Sequence, residues 1–157
     1  MSVDPVFDAA PDLSYEGGPL SAWFTDPPGA VVQLTEAVVF SKDMAEWIVG
    51  PGFEELSKRF PRCTELNLVL DLRPMTSREP AARPVIMAAG MKHMFMFTKV
   101  AVIAPQKPQP LYMSTLHGAV ALLSAIGPEV RIFETIEEAQ QMMALRPIER
   151  QKRAAGA

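Results

Sequence analysis

The chain has 157 residues, of which 48% are hydrophobic and 21% are charged, and its formal net charge is −3. This composition is typical of one globular domain, and no run approaches the roughly 20 apolar residues that a membrane-spanning helix needs. The net negative charge disfavours a nucleic-acid surface, which gathers lysines and arginines on one face. A single cysteine, Cys63, excludes an internal disulfide and a zinc site built from several thiolates of one chain.

The two ends of the chain carry opposite charge. Residues 1–18 contain four acidic residues and no base, whereas basic residues prevail in 146–157. Because both ends are polar and interrupted by prolines, we predict flexible tails over residues 1–11 and 147–157 around a single domain of residues 12–146. The first residues show no basic segment followed by an apolar stretch, so we expect a cytoplasmic protein without a secretory signal.

The first predicted elements are strands. Residues 21–25 and 30–34 are apolar runs that flank Asp26-Pro27-Pro28-Gly29, which is typical of an antiparallel hairpin. Residues 13–16 add a predicted edge strand before it. Ser41 is a suitable N-cap for the first helix, and Gly50-Pro51-Gly52 is expected to kink or split that helix.

The central strand is predicted within Leu66–Arg73, where a nearly continuous aliphatic run that stops at Asp71 indicates a strand that is covered on both faces. A polar loop, residues 73–80, follows this strand. Thr76 and Glu79 have the spacing of a capping box, so the loop is expected to lead into a helix opened by Pro80 or Pro84 that ends near Thr98.

The second half of the chain alternates strands and helices. A strand is predicted at residues 100–104, and a helix follows from Pro110 to Gly127-Pro128. A second strand is predicted at residues 130–133. The last helix begins with a capping box formed by Thr135 and Glu138. The order β-β-β-α-β-α-β-α-β-α predicts an α/β fold. Its mixed sheet begins with an antiparallel hairpin and continues as parallel β-α-β units, with helices packed on the sheet.

These elements resemble the STAS superfamily, the domain of bacterial anti-sigma-factor antagonists and of sulfate-transporter tails, in a diverged bacterial stand-alone form. The residues that carry the resemblance are the strand end Asp71-Leu72-Arg73, the shorter strand 100–104, the stretch 131–135 and Glu138-Ala139. The resemblance covers roughly residues 13–146.

The resemblance implies a non-catalytic regulatory or adaptor domain that acts through a protein partner. In regulatory relatives, the loop after the central strand holds a phosphorylated serine at a helix start, preceded by aspartate and followed by a small residue and glycine. This chain has Met75-Thr76-Ser77-Arg78-Glu79-Pro80 there and lacks both the acid and the glycine. The candidate contact or phosphorylation residues are therefore Arg73, Thr76, Ser77 and Arg78, although Thr76 and Ser77 are also explained as helix caps.

An alternative function is the binding of an apolar small molecule or lipid in a crevice rich in methionine and phenylalanine. Its candidate lining residues are Met87, Met91, Met94, Phe95 and Phe97. Residues 94–97 point in successive directions around a helix end, so some of these side chains are also candidates for a homodimer surface. The spacing of Met87, Met91 and Met94 at i, i+4 and i+7 is the spacing of one helix face packed on a sheet, where methionine commonly fills the core.

Catalytic and metal sites are disfavoured by the sequence. His93 and His117 are its two histidines, and ligation of a metal or haem by His93 and its neighbouring methionines is a weaker interpretation than core packing. The chain contains neither a Gly-x-Ser-x-Gly elbow nor a phosphate-binding glycine motif. We therefore predict no enzyme activity, no cofactor and no insertion into a membrane.

Overall fold

The computed structural model describes residues 2–16, 18–61, 65–93, 96–106 and 110–148. Its strands are β1 to β9 in chain order: Leu13–Ser14, Leu20–Asp26, Gly29–Leu34, Val38–Phe40, Leu66–Asp71, Met75–Arg78, Phe97–Ile103, Glu129–Phe133 and Arg146–Pro147. Its α-helices are α1 to α5: Lys42–Trp47, Phe53–Arg59, Ala82–His93, Pro110–Ile126 and Ile136–Met143.

The main sheet has the strand order β1-β2-β3-β5-β7-β8, and β9 pairs with β2. β1, β2 and β3 are antiparallel, and the sheet is parallel from β3 through β5 and β7 to β8. The predicted hairpin, central strand and β-α-β units are therefore present. Gly29 allows β3 to approach β5 closely, since a Cβ at this position would overlap the backbone of Asn67.

The two faces of the sheet are covered by different elements. Leu68 of β5 and Val102 of β7 point to the face packed by α1 to α4, which we call the four-helix face. Their neighbours Val69 and Ala101 point to the opposite face, packed by α5 and the N-terminal segment, which we call the α5 face. This alternation follows from the two-residue period of a strand.

Several local predictions are confirmed. The Ser41 side chain accepts a hydrogen bond of 3.1 Å from the Met44 backbone and caps α1. The predicted break at Gly50-Pro51-Gly52 is a π-helical turn, Ile48–Gly52, between α1 and α2. The last helix starts with the predicted capping box, in which Thr135 and Glu138 exchange hydrogen bonds of 3.1 and 3.2 Å.

The loop after the central strand differs from the prediction. Residues Met75–Arg78 form β6, which pairs in parallel with β4 in a separate two-stranded sheet. Thr76 therefore caps no helix, and its hydroxyl donates to the Val38 carbonyl at 3.1 Å. Glu79 accepts a hydrogen bond from the backbone N–H of Lys42, at the start of α1. The helix α3 starts at Ala82, between the two prolines, Pro80 and Pro84, that were predicted to open it.

The end of α3 was also predicted wrongly. The helix ends at His93, and Thr98 lies inside β7. The apolar periodicity continues from α3 into the strand, so the sequence pattern does not mark the boundary.

The N-terminal segment is packed on the α5 face, where the sequence predicted a flexible tail over residues 1–11. Phe7 is buried in a T-shaped contact with Trp23, and the Trp23 indole donates to the Ala9 carbonyl at 2.9 Å. The Val3 N–H donates to the Thr35 carbonyl, and the Asp12 carboxylate accepts from the Phe24 N–H. These partners lie at distant positions in the chain, so local composition did not reveal them.

The start of the predicted C-terminal tail also contacts the sheet. Arg146–Pro147 form β9 beside β2, and the Ile148 N–H donates to the Phe24 carbonyl. The rest of that tail, residues 149–157, lies outside the described residues.

Candidate functional site

A cavity of about 230 Å³ lies on the four-helix face, between the sheet and the helices. Its floor is formed by β5, β7 and β8, and its walls by the π-helical turn and by α2, α3 and α4. The side chains around it are almost all hydrocarbon. The principal apolar lining residues are Phe40, Ile48, Val49, Phe53, Leu68, Leu70, Leu72, Met75, Ile86, Met87, Phe97, Val100, Val102, Leu116, Val120 and Val130.

The cavity leaves apolar side chains of the central strand incompletely covered. Leu70 lies in β5, between strands on both sides, and yet it is only half-buried, as is Leu72 directly after it. On the opposite face of the same strand, Val69 and Asp71 are fully buried. The half-buried apolar side chains at this end of β5 therefore lie on one side of the sheet.

Among the described lining residues, the polar side chains are those of Arg78, Arg83 and His93. Arg83 lies in the first turn of α3 and is exposed, whereas His93 is the last residue of that helix. Residues 83 and 93 are ten positions apart, so the cavity extends along roughly 15 Å of α3. No aspartate or glutamate is among its described lining residues.

His93 forms the end of the cavity opposite Arg83. Its ring makes an edge contact with Phe53, with ring centroids 5.2 Å apart, and Phe53 in turn contacts Phe97. Partial burial, together with the nearby Lys92 charge, lowers the pKa of His93 below its ordinary value of 6.5. The neutral form of His93 is therefore favoured, and among the described lining residues the positive charge is that of the two arginines.

The structure brings together part of the predicted apolar site. Met87 and Phe97 both line the cavity. Met91 lies in α3, but its side chain is not described, and Met94 and Phe95 lie outside the described residues. Phe97 is 8% exposed and packs in the core, so it is unsuited to the dimer surface that was considered for it.

The predicted protein-contact residues have different environments. Thr76 and Ser77 are exposed on β6, and Arg78 is part of the cavity lining. Arg73, in contrast, is held against the protein. Its Nη2 lies 2.7 Å from Asp71 Oδ2, and its Nε donates to Asp71 Oδ1 at 2.9 Å.

Asp71 is the centre of a polar network on the α5 face. This carboxylate is fully buried and accepts a further hydrogen bond of 3.0 Å from Gln33 Nε2. Gln33 also binds the N-terminal segment, because it donates to the Asp4 carbonyl and accepts from the Val6 N–H. The hydrogen bond with Asp71 raises the pKa of Arg73 above its usual range. The strand end 71–73 therefore has a structural role that connects the central strand to the N-terminal segment.

The sequence interpretation missed the contributions of Arg83, Phe53 and Leu70 to the cavity. Arg83 gave one detectable signal: a cation in the first turn of a helix is electrostatically unfavourable, because the helix dipole is positive there. Among the residues that the structure describes, no cluster of three or more histidine, cysteine or acidic side chains could hold a metal ion. Within the same residues, no helix combines the length and apolar character needed to cross a membrane.

The comparisons with known proteins identify the fold. Neither a protein-family model nor a curated protein matches the chain. Among solved structures, it is similar to an uncharacterized protein from the DUF3478 family of Shewanella loihica PV-4, described as having a SpoIIAA-like fold. The TM-score is 0.56 at 14% identity, over 83% of this chain and 98% of the other.

The fold is SpoIIAA-like. This is the STAS fold, or anti-sigma-factor antagonist fold, so the fold resemblance seen in the sequence is confirmed. At 14% identity the similarity concerns the fold alone.

Proposed function

We propose that this SpoIIAA-like protein is a non-catalytic domain that binds an apolar small molecule or lipid in the cavity on the four-helix face. The observation that carries the proposal is the cavity itself, about 230 Å³ of space with a hydrocarbon lining. Protein interiors are normally packed as densely as organic crystals, with few voids larger than a water molecule. For comparison, an engineered apolar cavity of roughly 150 Å³ stays dry and binds benzene.

Water is a poor occupant of this space. An ordered water needs two to four polar partners, and most of the lining offers none. Leaving such a volume empty costs at most about 5.5 kcal/mol at roughly 24 cal/mol per Å³, and this cost is reduced where the cavity opens to solvent. An apolar ligand removes this cost and also covers the half-buried Leu70 and Leu72.

The test uses two alanines that follow each other in α3. Ala89 lines the cavity, whereas Ala88 is exposed. Ala89→Leu puts extra side-chain volume into the cavity and should abolish binding of decanol and Nile red, while Ala88→Leu should bind them as the wild type does. Native mass spectrometry of the purified wild type should show added mass where a lipid has co-purified. Equal binding by both variants would place the ligand elsewhere and reject the cavity as the site.

As a second proposal, the protein binds a protein partner, as the STAS resemblance implies. It is supported by the surface of the β4 and β6 sheet, where Thr76 and Ser77 are exposed and the Val39 side chain is 46% exposed. A phosphate at Ser77 would lie in a strand and not at a helix start, because α3 begins at Ala82. This removes the helix-dipole argument for phosphorylation and leaves a surface contact as the simpler role.

The two functions separate experimentally. If the surface is a partner contact, Ser77→Asp should change the set of captured proteins in a pull-down, and Ser77→Ala should not reproduce that change. Ser57→Asp, at an exposed position of α2, is the matched control. Identical captured sets for wild type, Ser77→Asp and Ser77→Ala would reject the contact, with no consequence for ligand binding in the cavity.

A homodimer through residues 94–97 is a further proposal. Because Phe97 is buried, Phe95→Ser is the informative change, and it should convert a dimer into a folded monomer in light scattering. A wild type that is monomeric at high concentration would refute it.

A further inference from the structure

The charge distribution on the cavity lining narrows the class of ligand. Arg78 and Arg83 line a cavity whose other described lining residues, apart from His93, are apolar, and no acidic residue is among them. A purely hydrocarbon ligand would gain nothing from the Arg83 guanidinium group. An anionic group would, since charge-assisted hydrogen bonds to arginine are among the strongest that a protein makes.

The position of Arg83 supports the same conclusion. It lies in the first turn of α3, which contains no acidic residue to balance either the arginine or the helix dipole. An anion beside Arg83 would be attracted by the guanidinium and by the positive end of this 12-residue helix. The helix end alone would not define a site, but here the apolar cavity starts next to it.

The shape of the cavity defines the rest of the ligand. From Arg83 in the first turn of α3 to His93 in the last, the lining extends along roughly 15 Å of the helix. Between these ends lie Ile86, Met87, Ala89 and Gly90, which are small or apolar. This is space for one extended alkyl chain, with its polar end at Arg83 and its methyl end toward His93 and Phe53.

We infer that the ligand is an anionic amphiphile with a single alkyl chain, whose carboxylate or phosphate head group is bound by Arg83. The inference rests on the proposed function and specifies its ligand. The chain contributes affinity through burial, and the head group fixes the orientation and excludes neutral or cationic amphiphiles.

The test is isothermal titration calorimetry with four probes that share one chain length: decanoate, decyl phosphate, decanol and decyltrimethylammonium. The wild type should bind an anionic probe at least about tenfold more tightly than decanol, and decyltrimethylammonium should bind most weakly. The stronger of decanoate and decyl phosphate identifies the head group. Arg83→Gln should weaken binding of that anion about tenfold and leave decanol unchanged.

Arg131→Gln is the matched control, because Arg131 is an exposed arginine of β8 on the opposite face from the cavity. Equal affinity for decanol and the anions, or an Arg83→Gln variant that binds the anion as tightly as wild type, would overturn the inference but leave the apolar site intact. If none of the four probes binds, the proposed function itself fails.

Discussion

The two faces of the sheet are built from alternate residues of the same strands, yet they differ in how completely they are packed. On the α5 face, Val69, Ala101 and Ile103 are fully buried under one short helix and the N-terminal segment. On the four-helix face, a larger set of helices leaves a cavity over Leu70 and Leu72. The face with more helices is therefore the less completely packed one.

This difference indicates that the α5 face stabilises the fold and that the four-helix face is suited to binding. The α5 face satisfies its polar groups, since the buried Asp71 and Gln33 are bonded to each other and to their surroundings. It ties the N-terminal segment to the central strand and stabilises the fold. The four-helix face has space that lowers stability when it is empty, and such an apolar cavity is a property expected of a binding site.

The largest expected effect comes from breaking the network on the α5 face. Asp71→Ala leaves the partly buried Arg73 guanidinium and the Gln33 amide without their carboxylate partner. We expect a loss of about 3 kcal/mol in the free energy of unfolding, measured by urea denaturation. Asp71→Asn should recover part of this loss, because it keeps the shape and one acceptor. An Asp71→Ala variant as stable as wild type would mean that this network does not stabilise the fold.

Removal of the N-terminal segment should have the next largest effect. Deleting residues 1–9 exposes Trp23, removes buried Phe7 and takes two partners from Gln33. We expect a loss of about 2 kcal/mol, seen as a lower melting temperature, and Phe7→Ser in the full chain should give much of the same loss. An unchanged melting temperature after deletion would contradict this expectation and support the flexible tail that the sequence predicts.

One substitution made on each face tests the difference in packing directly. Ala101→Leu inserts extra methylenes into the closely packed α5 face and should cost about 1–3 kcal/mol. Ala89→Leu inserts the same atoms beside the cavity, so its stability should be unchanged or higher by about 1 kcal/mol. The comparison is made by urea denaturation of both variants. Equal destabilisation would show that the four-helix face is as tightly packed as the other.

The smallest effect concerns pH. The lowered pKa of His93 means that the folded state binds a proton less readily than the unfolded chain, whose histidine titrates near 6.5. The stabilising contribution is therefore present above pH 6.5 and is lost as the pH falls below it toward the lower folded pKa. His93→Gln should flatten this part of the stability profile, as followed by melting temperature. A profile that the substitution leaves unchanged would mean that His93 is not coupled to folding.

The strength of local signals explains which features were predictable. The hairpin, the central strand and the capping box at Thr135 were found because each is encoded within a few neighbouring residues. The pairing of β4 with β6 was not predicted, because these strands have only three and four residues. Their contacts also join residues far apart in the chain, such as Thr76 and Val38. The packing of the N-terminal segment likewise depends on Trp23 and Gln33, whose side-chain partners cannot be inferred from local composition.

The cavity was predictable only in part. The sequence pointed to Met87 and Phe97, which do line it, because methionine and phenylalanine cluster in that stretch. A cavity, however, is a volume left over between elements, and its size depends on how α2, α3 and α4 are placed on the sheet. The contributions of Phe53, Leu70 and Arg83 come from that placement.

The central claim, that ligand binding is confined to one face, is tested most directly by methyl NMR during a titration with decanoate and, separately, with decanol. With at least one of them, we predict chemical-shift changes at Leu70, Ile86 and Val102, which line the cavity, and unchanged shifts at Val31, Val69 and Ile103 on the α5 face. Shift changes of equal size on both faces, or no change at the cavity residues with either compound, would contradict the account.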